Sequence, residues 1–161
     1  MENFQPFIKE LEERANASDN ANLTKWMTCS AKLLKALDER NIDPVSLQEE
    51  LNILRRQLDA DTKPNMIRSF YGKMTDSVRK KFNLVTPGYY QAAWMSIGMA
   101  AFGVPFGMIF SMALDNFAFL GIGLPIGISI GIAIGAAKDK KAKADGLQLD
   151  ISWYSLYNWI I

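Results

Sequence analysis

Gly103-Val104-Pro105-Phe106-Gly107 and Gly123-Leu124-Pro125-Ile126-Gly127 are one G-x-P-x-G pattern written twice, 20 residues apart. Each copy lies inside a long apolar run. Residues 92–114 supply 23 such positions and residues 117–137 supply 21, with only Asp115 and Asn116 between them. About 20 predominantly apolar residues suffice for a helix to cross the hydrocarbon core of a bilayer. A two-residue break leaves no room for a loop. The reading is therefore a tight transmembrane helical hairpin whose tip is Asp115-Asn116. A soluble pair of core helices is the rival, and the rest of the chain is too small to cover both runs.

Depth in an antiparallel hairpin is mirrored about its tip. Position 103 then faces 127, 105 faces 125 and 107 faces 123, each pair summing to 230. At 1.5 Å of rise per residue the two prolines lie about 15 Å from the tip, close to mid-bilayer. Pro105 and Pro125 are expected to kink both helices at matched depth, since each lacks a backbone N–H. Gly103 and Gly107 are expected to approach Gly127 and Gly123. The second run continues the spacing through Gly131 and Gly135, a small-residue ridge of the kind that lets membrane helices pack closely. Two uses of that ridge are open: closing the hairpin, or joining copies into a homo-oligomer. By the mirror rule, Gly131 and Gly135 should face Met99 and Met95.

Working outward, no Asp, Glu, Lys or Arg lies between Lys81 and Asp115 or between Asp115 and Lys138. Arg79, Lys80 and Lys81 precede the hairpin, and Lys138, Lys140, Lys141 and Lys143 follow it. The positive-inside rule then expects both ends in the cytoplasm and the tip outside. Tyr89, Tyr90 and Trp94 are placed to anchor the first span at the interface. Asp115 is expected to be a solvated turn residue; a ring of such acids at an oligomer's mouth is the sharper alternative.

The averages conceal this division. The chain has 161 residues, a net charge of +1 and 11 glycines, nine of which fall between Gly88 and Gly135. Residues 1–86 carry 14 basic and 13 acidic side chains, too balanced to build the basic field of a nucleic-acid binder. Histidine is absent and Cys29 is the one cysteine, which removes the commonest general base and metal ligand and leaves no thiol pair for a zinc site. No phosphate loop or nucleophile motif is present. The expectation is that the protein is not an enzyme, takes no cofactor or metal, and binds no nucleic acid.

Residues 1–86 read as four amphipathic helices forming a small soluble bundle. Phe4, Phe7, Ile8, Leu11 and Ala15 mark the first; Leu23, Trp26, Met27, Leu33, Leu34 and Leu37 the second. Asp43 can cap the third, with Pro44 at its first position, and Leu47, Leu51, Leu54 and Leu58 form its stripe. Ile67, Phe70, Tyr71, Met74, Val78 and Phe82 mark the fourth. The stripes are expected to form the core; the Leu47–Leu58 stripe is the best candidate for a face kept for a partner.

The organisation is thus an all-α protein with three parts: a soluble bundle over 1–86, a hairpin over 87–138, and a basic exit with an aromatic tail over 139–161. Trp153 and Trp159 suit the tail to the membrane interface, or else the tail joins the bundle. The stretch from Ala100-Ala101-Phe102-Gly103 through Ile126-Gly127, followed by Asp139-Lys140-Lys141-Ala142-Lys143 and Gly146-Leu147-Gln148-Leu149-Asp150, resembles a group of small, largely uncharacterised bacterial membrane proteins with a glycine-zipper two-helix hairpin. The resemblance covers roughly residues 88–150. It implies a bacterial inner-membrane location and brings no catalytic residues. The function expected is that of a membrane-anchored, self-associating adaptor whose bundle meets a cytoplasmic protein partner. An oligomeric pore former or membrane-disrupting effector, holin-like or a defence toxin, is the alternative.

Overall fold

A computed structural model describes residues 3–59 and 62–151. Among these the protein is helical throughout, without strands. The described residues form two compact units, one of those up to Val85 together with residues 149–151, the other of Thr86–Gln148.

The first unit is a helical bundle of α1 (Gln5–Ala17), α2 (Ala21–Glu39), α3 (Gln48–Asp59) and α4 (Pro64–Phe82). Local chemistry fixes the boundaries. The Asn20 side chain accepts from the backbone N–H of Asn22 and Leu23 to start α2. Asp43 accepts from Val45 N–H, but Pro44 opens a 3₁₀ turn, Pro44–Leu47, before α3 begins at Gln48. Helix α2 ends with Asn41 in the left-handed region, and Ile42 N–H reaches back to the Leu37 carbonyl.

All four leucines of the stripe, Leu47 in the 3₁₀ turn and Leu51, Leu54 and Leu58 on α3, are at most 2% exposed and belong to the bundle core. The stripe is therefore not held free for a partner. Its spacing satisfies the core of its own domain, which burial of each Leu favours by about 1.5–3 kcal/mol. Cys29 is buried, and that burial pushes its thiol up in pKa, as it does the Tyr71 hydroxyl.

The chain after the hairpin returns to this bundle. Leu149 N–H donates to the Val85 carbonyl at 2.9 Å, and Leu149 and Ile151 enter the bundle core. The third segment expected over 139–161 is thus divided within its described part: residues up to Gln148 belong with the hairpin, and Leu149 and Ile151 with the bundle. Trp153 and Trp159 lie outside the described residues.

The second unit is an antiparallel hairpin. Its first arm is α5 (Tyr89–Gly98), a π-helical turn (Met99–Gly103) and α6 (Val104–Ala113). A 3₁₀ turn (Phe117–Phe119) leads into its second arm, α7 (Leu120–Ala144). The stretches Tyr89–Ala113 and Phe117–Ala144 are each long and apolar enough to cross a membrane.

Candidate functional site

The tip is built from backbone chemistry. Asp115 adopts φ 48°, a left-handed conformation that Asp and Asn tolerate better than most residues. Asn116 N–H then donates to the Ser111 carbonyl at 3.0 Å and Asp115 N–H to the Met112 carbonyl at 3.4 Å, the paired bonds that close a helix C-terminus. Asn116 Oδ1 in turn accepts from Ala118 N–H at 2.9 Å and starts the second arm. One dipeptide ends one helix and caps the next. Both residues are exposed, as expected of a turn.

Between the arms the contact is backbone against backbone. Gly103, Gly107, Gly123, Gly127, Gly131 and Gly135 are all buried. A Cβ added to Gly123 would lie 2.6 Å from Gly107 Cα, and one added to Gly127 would lie 2.6 Å from Gly103 Cα. Real Cβ contacts essentially never fall below 3.0 Å, so no other residue fits there without separating the helices. The pairs 107–123 and 103–127 are those the mirror rule selects.

Farther from the tip the register departs from the mirror. Gly131 meets the Trp94 carbonyl and Met95 Cα, and Gly135 meets Tyr90 and Gln91 backbone, rather than Met99 and Met95 side chains. The π turn supplies the reason. A π turn closes i→i+5 hydrogen bonds and so takes more residues per turn. Val104 N–H bonds the Met99 carbonyl across it. Gly98 and Gly103, five apart, thereby come to one face, and Gly98 packs against Gly127 and Gly131, with Gly131 Cα 2.7 Å from its would-be Cβ. Gly98 is a member of the contact that four-residue spacing does not reveal. Met95 and Met99 turn outward, 40% and 41% exposed.

The two prolines, expected to kink both arms, stand in different local settings. Pro105 sits in the first turn of α6, directly after the π turn, where a missing N–H is least costly. Pro125 lies inside the uninterrupted α7. The hydroxyls are used locally: Ser129 Oγ donates to the Pro125 carbonyl at 2.8 Å, and Ser96 Oγ to the Ala92 carbonyl at 3.4 Å. Ser111 is buried.

The base of the hairpin holds a feature that the sequence did not signal. Gly88 begins α5 without a side-chain cap. Asp139, on α7, reaches across instead: Oδ1 accepts from Tyr90 N–H at 3.1 Å and Oδ2 from Gln91 N–H at 3.0 Å. A carboxylate at a helix N-terminus satisfies orphan donors and meets the positive end of the helix dipole. Beside it Lys138 Nζ lies 5.2 Å from the centre of the Trp94 ring, a cation–π contact. Tyr89 and Tyr90 rings meet edge-on at 5.2 Å.

The two basic flanks differ in kind. On α4, Lys80 pairs with Asp76 at 2.6 Å and Arg79 with the same carboxylate, which holds Asp76 below its ordinary pKa. Lys81 donates to the Ser46 carbonyl at 2.6 Å and stands 3.7 Å from Glu50. All three also complement the C-terminal end of α4. On α7, Lys138, Lys140, Lys141 and Lys143 are exposed and form no ion pair with another described residue.

Among the described residues no group of three or more His, Cys, Asp or Glu is arranged to hold a metal ion. The chain matches no protein-family model, no curated protein and no solved structure at a significant level.

Proposed function

We propose that the protein is a membrane-anchored interaction protein. Its hairpin inserts in the inner membrane of a bacterium with the tip outside, and both connections hold the helical bundle at the cytoplasmic face to meet a protein partner. The observation that carries this is the division of the hairpin's surface. Its interior is taken up by glycine backbone, and its exterior is a continuous apolar coat that includes Ile97, Val104, Met108, Ile109, Leu124 and Ile126, between 36% and 57% exposed. Only 22% and 17% of the most apolar windows of the two arms are buried by protein. A soluble protein rarely exposes an apolar surface of that extent; a bilayer covers it.

The glycine ridge works here as an intramolecular glycine zipper. Self-association through that ridge leaves this reading, because the chain's own first arm fills it. The hydroxyls of Ser96 and Ser129 bond carbonyls of their own helices.

The test is membrane extraction combined with cysteine accessibility in a Cys29→Ser background. The protein should stay with membranes through alkaline carbonate. Asp115→Cys should react with an impermeant maleimide from outside, and Lys141→Cys only after lysis. Release by carbonate, or the reverse labelling, overturns the proposal.

A further inference from the structure

We propose that the four lysines of α7 form a collar that binds anionic phospholipid headgroups around the base of the hairpin. This deepens the anchoring reading above and rests on it. Three observations support the collar. At 100° per residue, Lys138, Lys143, Lys140 and Lys141 fall in that order around the helix, at about 0°, 140°, 200° and 300°. The arc between the first two is the side turned to α5, where Asp139 reaches Tyr90 and Gln91. The lysines thus surround the outward circumference, over a rise of about 8 Å, which is the depth of a headgroup layer. Such a ring fits a plane of phosphates and forms no pocket for a single ligand.

The charges are also available. Each of the four is exposed and without an ion pair among the described residues, whereas Arg79, Lys80 and Lys81 are engaged with Asp76, Ser46 and Glu50. Asp139, the acid embedded among them, spends its carboxylate on two backbone N–H groups of α5. Asp145, at the end of α7, is the other acid of this turn. Finally, the collar begins where the apolar arm ends, and Lys138 rests on the half-buried Trp94 ring, an interfacial residue type. A lysine beside an anionic membrane surface contributes roughly fivefold in affinity.

The full chain in phosphatidylcholine nanodiscs, doped in turn with brominated phosphatidylcholine and brominated phosphatidylglycerol, tests the collar. Bromine quenches nearby tryptophan, and subtracting a Trp94→Phe chain isolates the Trp94 signal. Trp94 should be quenched at least about threefold more by the anionic lipid. The preference should vanish in K138Q/K140Q/K141Q/K143Q and at high salt, and persist in R79Q/K80Q, whose charges are already paired. Equal quenching by both lipids in the parent chain, or a preference that survives the four-lysine change, overturns the collar while leaving the anchor intact. Quenching by neither lipid overturns the anchor itself, and the collar with it.

Discussion

The bundle and the hairpin are held together by opposite means. In the bundle, large side chains meet: Phe4, Leu11, Leu33, Leu34, Leu54, Phe70 and Met74 are at most 1% exposed and interlock from different helices. In the hairpin, side chains are missing where the helices meet, and the packing is glycine backbone on glycine backbone. With the hairpin in a bilayer, as proposed above, water explains the contrast. In water, burial of apolar side chains drives association. In lipid that drive is absent between helices, and close van der Waals approach replaces it. Truncating a side chain should therefore break the first unit, and adding one should break the second.

The largest effect expected is in the bundle. Leu54→Ala, at a fully buried site, should cost about 2–5 kcal/mol in thermal or denaturant unfolding of the bundle signal, while leaving the hairpin inserted. An equal loss of hairpin closure would erase the distinction between the two units. Next, Gly131→Ala should cost about 1–3 kcal/mol by overpacking against Trp94 and Met95 backbone. Gly121→Ala, with no atom within 4 Å of its added Cβ, serves as its control and should be close to neutral. If both glycines tolerate alanine alike, the backbone contact is not what joins the arms. Asp139→Ala should cost about 1 kcal/mol, the usual worth of an N-cap, read as faster exchange of the Tyr90 and Gln91 amides; unchanged exchange would show that α5 needs no cap from α7.

The smallest effect is a pH dependence confined to the bundle. Burial works to raise the Glu50 pKa, but the Ser77 hydroxyl, its own backbone N–H and the Lys81 ammonium outweigh burial, and the net shift is downward. A lowered folded-state pKa contributes stability above the ordinary carboxyl range, about pH 4.3, and that stability is lost as pH falls through the folded value. Bundle stability should drop more steeply below about pH 4 in the parent than in Glu50→Gln. Parallel acid titrations of the two chains would remove Glu50 from the account.

Much of this division was legible in the sequence, because both units announce themselves by period. The leucines of α3 recur at helical spacing and the glycines of α7 every four residues, and each pattern maps directly onto a packed face. What escaped was whatever depends on partners distant in the chain or on a change of helix type. Gly98 joins the contact only because a π turn absorbs its five-residue offset from Gly103. Asp139 caps a helix that begins 50 residues earlier, a contact no local pattern encodes. Leu149 and Ile151 read as a polar exit and an aromatic tail, yet they complete the bundle core. The leucine stripe was ambiguous for the same reason: amphipathic spacing shows that a face is buried without showing against what.

The central claim is that the glycine contact closes within one chain in a membrane. Met95 and Ile132 line the same shallow cleft beside the Gly131 contact. In a Cys29→Ser background, Met95→Cys and Ile132→Cys in one chain, reconstituted at low density in lipid, should be joined by a short bis-maleimide as a faster-migrating monomer. Adding Gly131→Leu should abolish that species. Cross-linked dimers from a mixture of the two single-cysteine chains, with no intrachain product from the double-cysteine chain, would contradict the account and return the ridge to the role of joining copies.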